Sequence, residues 1–211
     1  MSKLNNIIEF FYGIIFIGDD MNIIEEIKKF EPLDEEERYE KEYLLKFIEM
    51  HDDYLTRDNI FGHITASAFV VNETHDKFLA VYHIINDGWM YLGGHADGNP
   101  NLLEVAKREV LEESGVHAKV LSDDIFAIQN AVAKSHIKNG KHVHFHTHFD
   151  VMYLMEAKED EVLIYDKSES MGVKWIDFKD ADAKEIVPLA RPVHLKCIEK
   201  LRLLDERKGK N

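Results

Sequence analysis

Between Tyr91 and Val116 the chain reads YLGGHADGNPNLLEVAKREVLEESGV, and no other stretch restricts the fold as much. Asn101 can cap a helix, Glu104 holds the capping-box position, and Gly115 can close the last turn. At about 100° per residue, Glu113 projects within roughly 20° of Ala106, and Glu109 falls between Leu102 and Val105. Two carboxylates therefore border the stripe of Leu102, Leu103, Ala106 and Val110 that must face a core. Glu109, Glu112 and Glu113 share one side of this helix, so they repel one another, and apolar neighbours add a desolvation cost. An acidic face in water is one reading. A hard divalent cation with oxygen ligands, Mg²⁺ or Mn²⁺, is the reading that relieves both costs. The preceding Gly93 and Gly94 let backbone approach a metal or phosphate closely.

The rest of the composition narrows the class of function. With 211 residues, 45% hydrophobic and 31% charged, the chain suits one ordinary packed domain with an appendage. A net charge of -14, from 40 acidic and 26 basic residues, argues against unaided binding to nucleic acid or an anionic membrane. The lone cysteine, Cys197, excludes an internal disulfide and a cysteine-based zinc cluster, and a reducing cytoplasm is the expected compartment. The apolar segment 7–18 is interrupted by Glu9 and lacks a cleavage site, so it reads as a buried strand or helix. Met21 offers an alternative start, which would make residues 1–20 an upstream extension.

Residues 1–58 are expected to form a mainly helical N-terminal extension, and 59–211 the functional domain. Asp34 with Glu37 reads as a capping box, followed by Tyr39, Tyr43, Phe47, Leu44, Ile48 and Leu55 at helical spacing. Strands are expected at 63–71, 78–84, 125–133, 141–157 and 172–178. Asn86-Asp87-Gly88 should turn one hairpin and Asn139-Gly140 another. A last helix from about Pro192 to Arg207 carries Val193, Cys197, Ile198, Leu201 and Leu204 as its buried stripe. Intermixed strands and helices imply an α+β fold with a mixed sheet and helices packed on it.

The residues Gly94, Arg108, Glu109, Val110, Glu112, Glu113, Gly115 and Val116 resemble the Nudix box, G-x5-E-x7-R-E-U-x-E-E-x-G-U with U aliphatic. The neighbouring strands fit that family's order over roughly residues 60 to 207. One position departs from the pattern: Pro100 stands where the family has its first glutamate, and Asp97 is the nearest acid. The GGHADG form is similar to a subset of uncharacterised Nudix proteins that also lack it. The resemblance implies a Nudix-like α/β/α sandwich and hydrolysis of a nucleoside diphosphate linked to another group, or of a nucleoside triphosphate, with Mg²⁺ or Mn²⁺. It assigns Glu109, Glu112 and Glu113 to metal, with the carbonyl of Gly93 or Gly94 completing the shell. Glu112 could alternatively serve as base, and Arg108 would orient a glutamate.

A second feature is HVHFHTHFD, which at period 2 sets His142, His144, His146, His148 and Asp150 on one strand face. The other face, Val143, Phe145, Phe149, Val151 and Tyr153, should be core. The imidazoles could bind a transition metal, approach substrate phosphates, or simply line a polar rim. His146, His148, Asp150, His95 and Trp89 are the expected substrate contacts; Trp175 and the loop acid Glu169 are weaker candidates. Two competing readings remain: a nucleotide-sensing Nudix-like domain without turnover, and an isomerase resembling isopentenyl diphosphate isomerase, against which Cys197 is wrongly placed. The expected partner is a small nucleotide-type diphosphate, with no nucleic acid or membrane, and the N-terminal helices could serve a homodimer interface.

Overall fold

The computed structural model describes residues 18–138, 140–165, 167 and 170–209. The apolar segment up to residue 17, Asn139 of the expected turn, and Glu169 lie outside the described residues. Helices α1 (Gly18–Lys29) and α2 (Glu35–Met50) come first, followed by strands β1 (Gly62–Asn72), β2 (Lys77–His83), β3 (Gly88–Met90) and β4 (Leu92–His95). Helix α3 (Leu102–Ser114) follows, then β5 (Lys119–Val120), β6 (Ala127–Ala133), β7 (His136–Lys138), β8 (Lys141–Val143), β9 (His146–Ala157), β10 (Ser170–Asp177) and α4 (Ala190–Lys208). No helix among the described residues is long and apolar enough to cross a membrane.

The main sheet runs β10-β2-β1-β9-β5, with β3 beside β2, β4 beside β1 and β6 beside β9. At its centre β1 and β9 pair in parallel from Gly62 opposite Thr147 to Asn72 opposite Ala157, while the other pairings are antiparallel. Over residues 68–71 and 151–155 the central strands carry continuous apolar runs, because there the sheet is covered on both faces. Ile64, Ala66, Ala68 and Val70 of β1 join Phe149, Val151, Tyr153 and Met155 of β9 under α1, α2 and α3. The opposite face packs Phe69, Val71, Met152 and Leu154 against Cys197, Ile198 and Leu201 of α4. The mixed sheet between helices is the α+β sandwich expected from the sequence.

Most local signals act as expected. The Asp34 carboxylate accepts from the Glu37 N–H at 2.7 Å, while Glu37 reaches back to the Leu33 N–H, also 2.7 Å. Asn101 caps α3 through the Glu104 N–H, and Gly115 adopts φ +72°. Glu104 bonds to Lys107 instead of reaching back, and Asn99 takes the Asn101 N–H. Of the α2 residues, Leu44, Phe47 and Ile48 are buried, whereas Tyr39 and Tyr43 are exposed.

A strand expectation also fails. The strand expected over 141–157 breaks at His144 and Phe145, because the β6 ladder ends where Ala133 meets His146. Beyond that point β7 and β8 form their own two-stranded ribbon, turning at Gly140 with φ +75°. The alternation lapses with the strand, so Phe145 is 66% exposed rather than core. His142 and His144 face each other at 4.7 Å instead of extending the row of His146 and His148.

Two buried polar groups set stability. Glu37 is fully buried and meets the Lys200 ammonium at 2.6 Å; Lys200 also donates to the Phe126 carbonyl and lies over the Phe30 ring. The pair joins α2 to α4 across the end of the sheet. Burial pushes the Lys200 pKa down, and the Glu37 carboxylate opposes that shift. Lys200→Met would strand a buried carboxylate and is expected to cost about 3–5 kcal/mol, while Glu37→Gln/Lys200→Met recovers most of it; urea unfolding reads both, and an unchanged midpoint for Lys200→Met would refute the assignment.

His194 of α4 is fully buried against Phe78 (4.4 Å) and edge-on to Tyr91, with neither ring nitrogen hydrogen-bonded. Burial lowers its pKa from 6.5 to about 3. The unfolded chain therefore takes up this proton first as pH falls. Stability is intact above 6.5 and is lost on acidification, by up to about 1.4 kcal/mol per pH unit. His194→Phe should flatten the fall in melting temperature between pH 6.5 and pH 4; a curve as steep as the parent's would exclude His194 as a source of acid lability.

Candidate active site

The residues of the 91–116 stretch converge through β4 and α3. Antiparallel pairing sets Gly93 opposite Ser67, Gly94 opposite Ala66 and His95 opposite Thr65. The Gly93 N–H donates to Glu113 Oε2 at 2.9 Å. A Cβ at Gly94 would lie 2.4–2.7 Å from the Glu109 carboxylate atoms, so only glycine admits that carboxylate against the strand. A Cβ at Gly93 would meet Ser67 at 2.5 Å. Gly94 is thus a steric requirement of the Glu109 carboxylate, and Gly93 of the close approach of β1.

Burial follows the helical angles. Glu109 and Glu113 are half-buried while Glu112 is exposed. Arg108 donates to Glu109 Oε1 at 2.6 Å, reaches the His95 carbonyl at 3.4 Å, and stands 3.9 Å from Glu112. Its closer partner is the adjacent glutamate, not the one a turn away. The hydrogen bond that Arg108 donates to Glu109 holds the Arg108 pKa above its ordinary value. Pro100 leaves no carboxylate at its position, and Asp97, at φ +48°, is bound by both arms of Arg57 at 2.7 and 2.5 Å. The loop acid nearest to the departure is therefore tied to the segment before β1.

The histidines form a second group. His146 and His148 of β9 approach with Nε2 atoms 3.0 Å apart, and the ring of His63 lies 4.9 and 5.1 Å from theirs. His95 sits 5.0 Å from both His63 and His148. The parallel register places His63 directly opposite His148. His63 was not expected from the sequence, since register between strands some 85 positions apart leaves no local trace. Burial lowers His63 to about 4 and His148 to about 2, and repulsion among the rings adds to both shifts.

Other expected residues fall elsewhere. Asp150 is only 4% exposed and accepts from Thr65 at 2.8 Å, Ser67 at 2.5 Å and Gln129 at 2.9 Å. Burial raises its pKa, and the three hydrogen bonds pull it back. Its oxygens serve the sheet interior. Trp89 meets Tyr82 edge-on and lies under the Lys174 ammonium. With Trp175 and Ile186 it lines a cavity of about 300 Å³ beside β10. Cys197 is wholly buried with its thiol against Met152 and its pKa pushed up to about 12, which leaves no reactive thiolate.

A family model described as NUDIX domain matches residues 62–197. Among solved structures, a NUDIX-family hydrolase from Clostridium perfringens is similar at 21% identity, covering 66% of this chain and 97% of its own, with a TM-score of 0.50. An Ap4A hydrolase from C. elegans is similar at 15% identity, covering 67% and 96%, with a TM-score of 0.48. A NUDIX hydrolase from Nitrosomonas europaea has 20% identity, 66% and 88% coverage and a TM-score of 0.47. No curated protein matches the chain.

Gly94→Ala should force the flexible Glu109 carboxylate aside and loosen its bond to Arg108, at a cost of about 0.5–1.5 kcal/mol. In Gly94→Ala/Glu109→Ala the clash is gone, so the double variant should cost less than the two single changes added together. Strict additivity in urea unfolding would show that the glycine and the glutamate do not meet.

Proposed function

The chain belongs to the Nudix family, and on that premise we propose that it is a divalent-metal-dependent pyrophosphohydrolase. Its substrate would be a nucleoside diphosphate linked to another group, or a nucleoside triphosphate. The observation that carries this reading is the convergence of Glu109 and Glu113 on the Gly93-Gly94 backbone, with Arg108 fixing Glu109. The donor set fits a hard cation, Mg²⁺ or Mn²⁺, because every group it offers is a carboxylate or carbonyl oxygen.

Glu109 and Glu113 are assigned to the cation, with the Gly94 carbonyl beside them. Glu112, exposed at the rim, is a further ligand or the base. A bound divalent cation supplies neutralisation of the diphosphate and activation of water. Attack of a water oxygen on phosphorus would break the bridging P–O bond, the leaving phosphate oxygen keeping the electron pair and Glu112 as base accepting the proton. Arg108 positions Glu109 and does not touch substrate. His95, next to Gly94, is assigned to the substrate phosphates. Asp150, with its oxygens saturated inside the sheet, and Trp89, beside the β10 cavity, fall outside this assignment. Residues 59–211 would be the catalytic unit, with 1–58 its extension.

A sensing role without turnover draws on one observation: Pro100 removes a box carboxylate, and Arg57 holds Asp97. The two readings separate in one assay. Purified protein is incubated with nucleoside diphosphate derivatives and triphosphates under Mg²⁺, Mn²⁺ or EDTA, and released phosphates are followed. Hydrolysis predicts metal-dependent cleavage of at least one compound, lowered at least about 100-fold in Glu113→Gln. Thermal shifts with no cleavage in any condition would replace the enzyme by the sensor.

A further inference from the structure

One ring nitrogen from each of His63, His146 and His148 lies within 4.8 Å of the other two, and among the described residues no carboxylate joins them. Three strands contribute to this patch: β1 gives His63, β9 gives the other two, and β4 adds His95 alongside. His63 is 3% exposed, and neither of its ring nitrogens makes a hydrogen bond of normal geometry. Among the described residues the Asn59 backbone is the one hydrogen-bonding group close enough to act on the ring, and a buried imidazole so poorly served costs free energy that a ligand would return.

The tautomer of His146 can be read from its surroundings. Its Nδ1 lies 2.8 Å from the His144 carbonyl, which can only accept, so Nδ1 carries the proton. In the neutral ring the lone pair is then on Nε2, the atom facing His148. A carbonyl that fixes Nδ1–H and turns Nε2 inward is the usual outer support of a metal-binding histidine.

We propose that His63, His146 and His148 bind one first-row transition cation through their ring nitrogens, at a site distinct from the box carboxylates. Zn²⁺ is the reference ion, because imidazole nitrogen suits borderline metals and a carboxylate set suits Mg²⁺ or Mn²⁺. The distances allow it. Nitrogens about 2.0–2.1 Å from a common zinc stand about 3.3 Å apart. The His146–His148 separation is already shorter than that, so the widest gap must close by roughly 1.5 Å through ring rotation. Asp150 shares the sheet face, but its oxygens are taken by Thr65, Ser67 and Gln129. Three protein ligands therefore leave a coordination position open to an outside group.

The test reads metal alone and so stands apart from any result on hydrolysis. Chelator-stripped full-length protein is titrated with Zn²⁺ by calorimetry in excess Mg²⁺, and with Co²⁺ by visible absorption. One equivalent of Zn²⁺ should bind despite the Mg²⁺, and Co²⁺ should give the strong bands of a four-coordinate nitrogen site. His146→Gln, which alters a half-exposed ring and should spare the fold, and His148→Gln should each weaken binding by at least roughly tenfold. Circular dichroism checks that both variants stay folded. Glu109→Gln and Glu113→Gln should leave it unchanged. Absence of Zn²⁺ binding overturns the site, as does binding that the glutamate changes abolish and the His146 change leaves intact.

Discussion

The parallel pairing of β1 with β9 is the constraint on which the rest of the structure depends. It sets one face of both strands against α1, α2 and α3, and the other against α4. Nearer their N-terminal ends the second face turns polar, and the same register lines up His63 with His148 and Thr65 with Asp150. A slip of one residue would exchange the two faces. Asp150 opposes such a slip, because Thr65 and Ser67, two residues apart on β1, both donate to its carboxylate. A buried carboxylate is costly unless every oxygen is served, and here three donors serve it in this register.

A similar logic ties the N-terminal helices to the sheet. The buried Glu37 ends up against Lys200, so the capping residue of one helix is also the counter-ion of another. Hydrophobic residues of α1 and α2 enter the same cluster as the strands, with Phe47 stacked on Phe149 at 4.2 Å. Arg57, from the segment between α2 and β1, then reaches the loop that leads into α3. The N-terminal segment thus contacts both the core and the approach to the carboxylates.

Around α3 the local and global demands agree. The helix needs a cap, a closing glycine and an apolar stripe, and it has all three. The carboxylates bordering that stripe need backbone that can come close: Gly94 leaves room for Glu109, and the Gly93 N–H meets Glu113. The box residues lie within one strand, loop and helix, so their geometry is set by short-range chemistry. The histidine patch is assembled from three strands, two of them far apart in the chain.

What the sequence by itself determined is what depends on neighbours a few residues away. The N-caps of α2 and α3, the half-buried angle of Glu109 and Glu113, and the burial of Cys197, Ile198 and Leu201 on α4 follow from helical period and side-chain chemistry. Tertiary structure alone decided the register of β1 on β9, and with it the arrival of His63 beside His146 and His148. It also broke the strand at His144 and Phe145, where period 2 predicted continuity, because the partner ladder stops at Ala133. The enclosure of Asp150 belongs to the same category. Periodicity tells which way a side chain points from its own strand; what lies opposite is fixed only when distant strands pair.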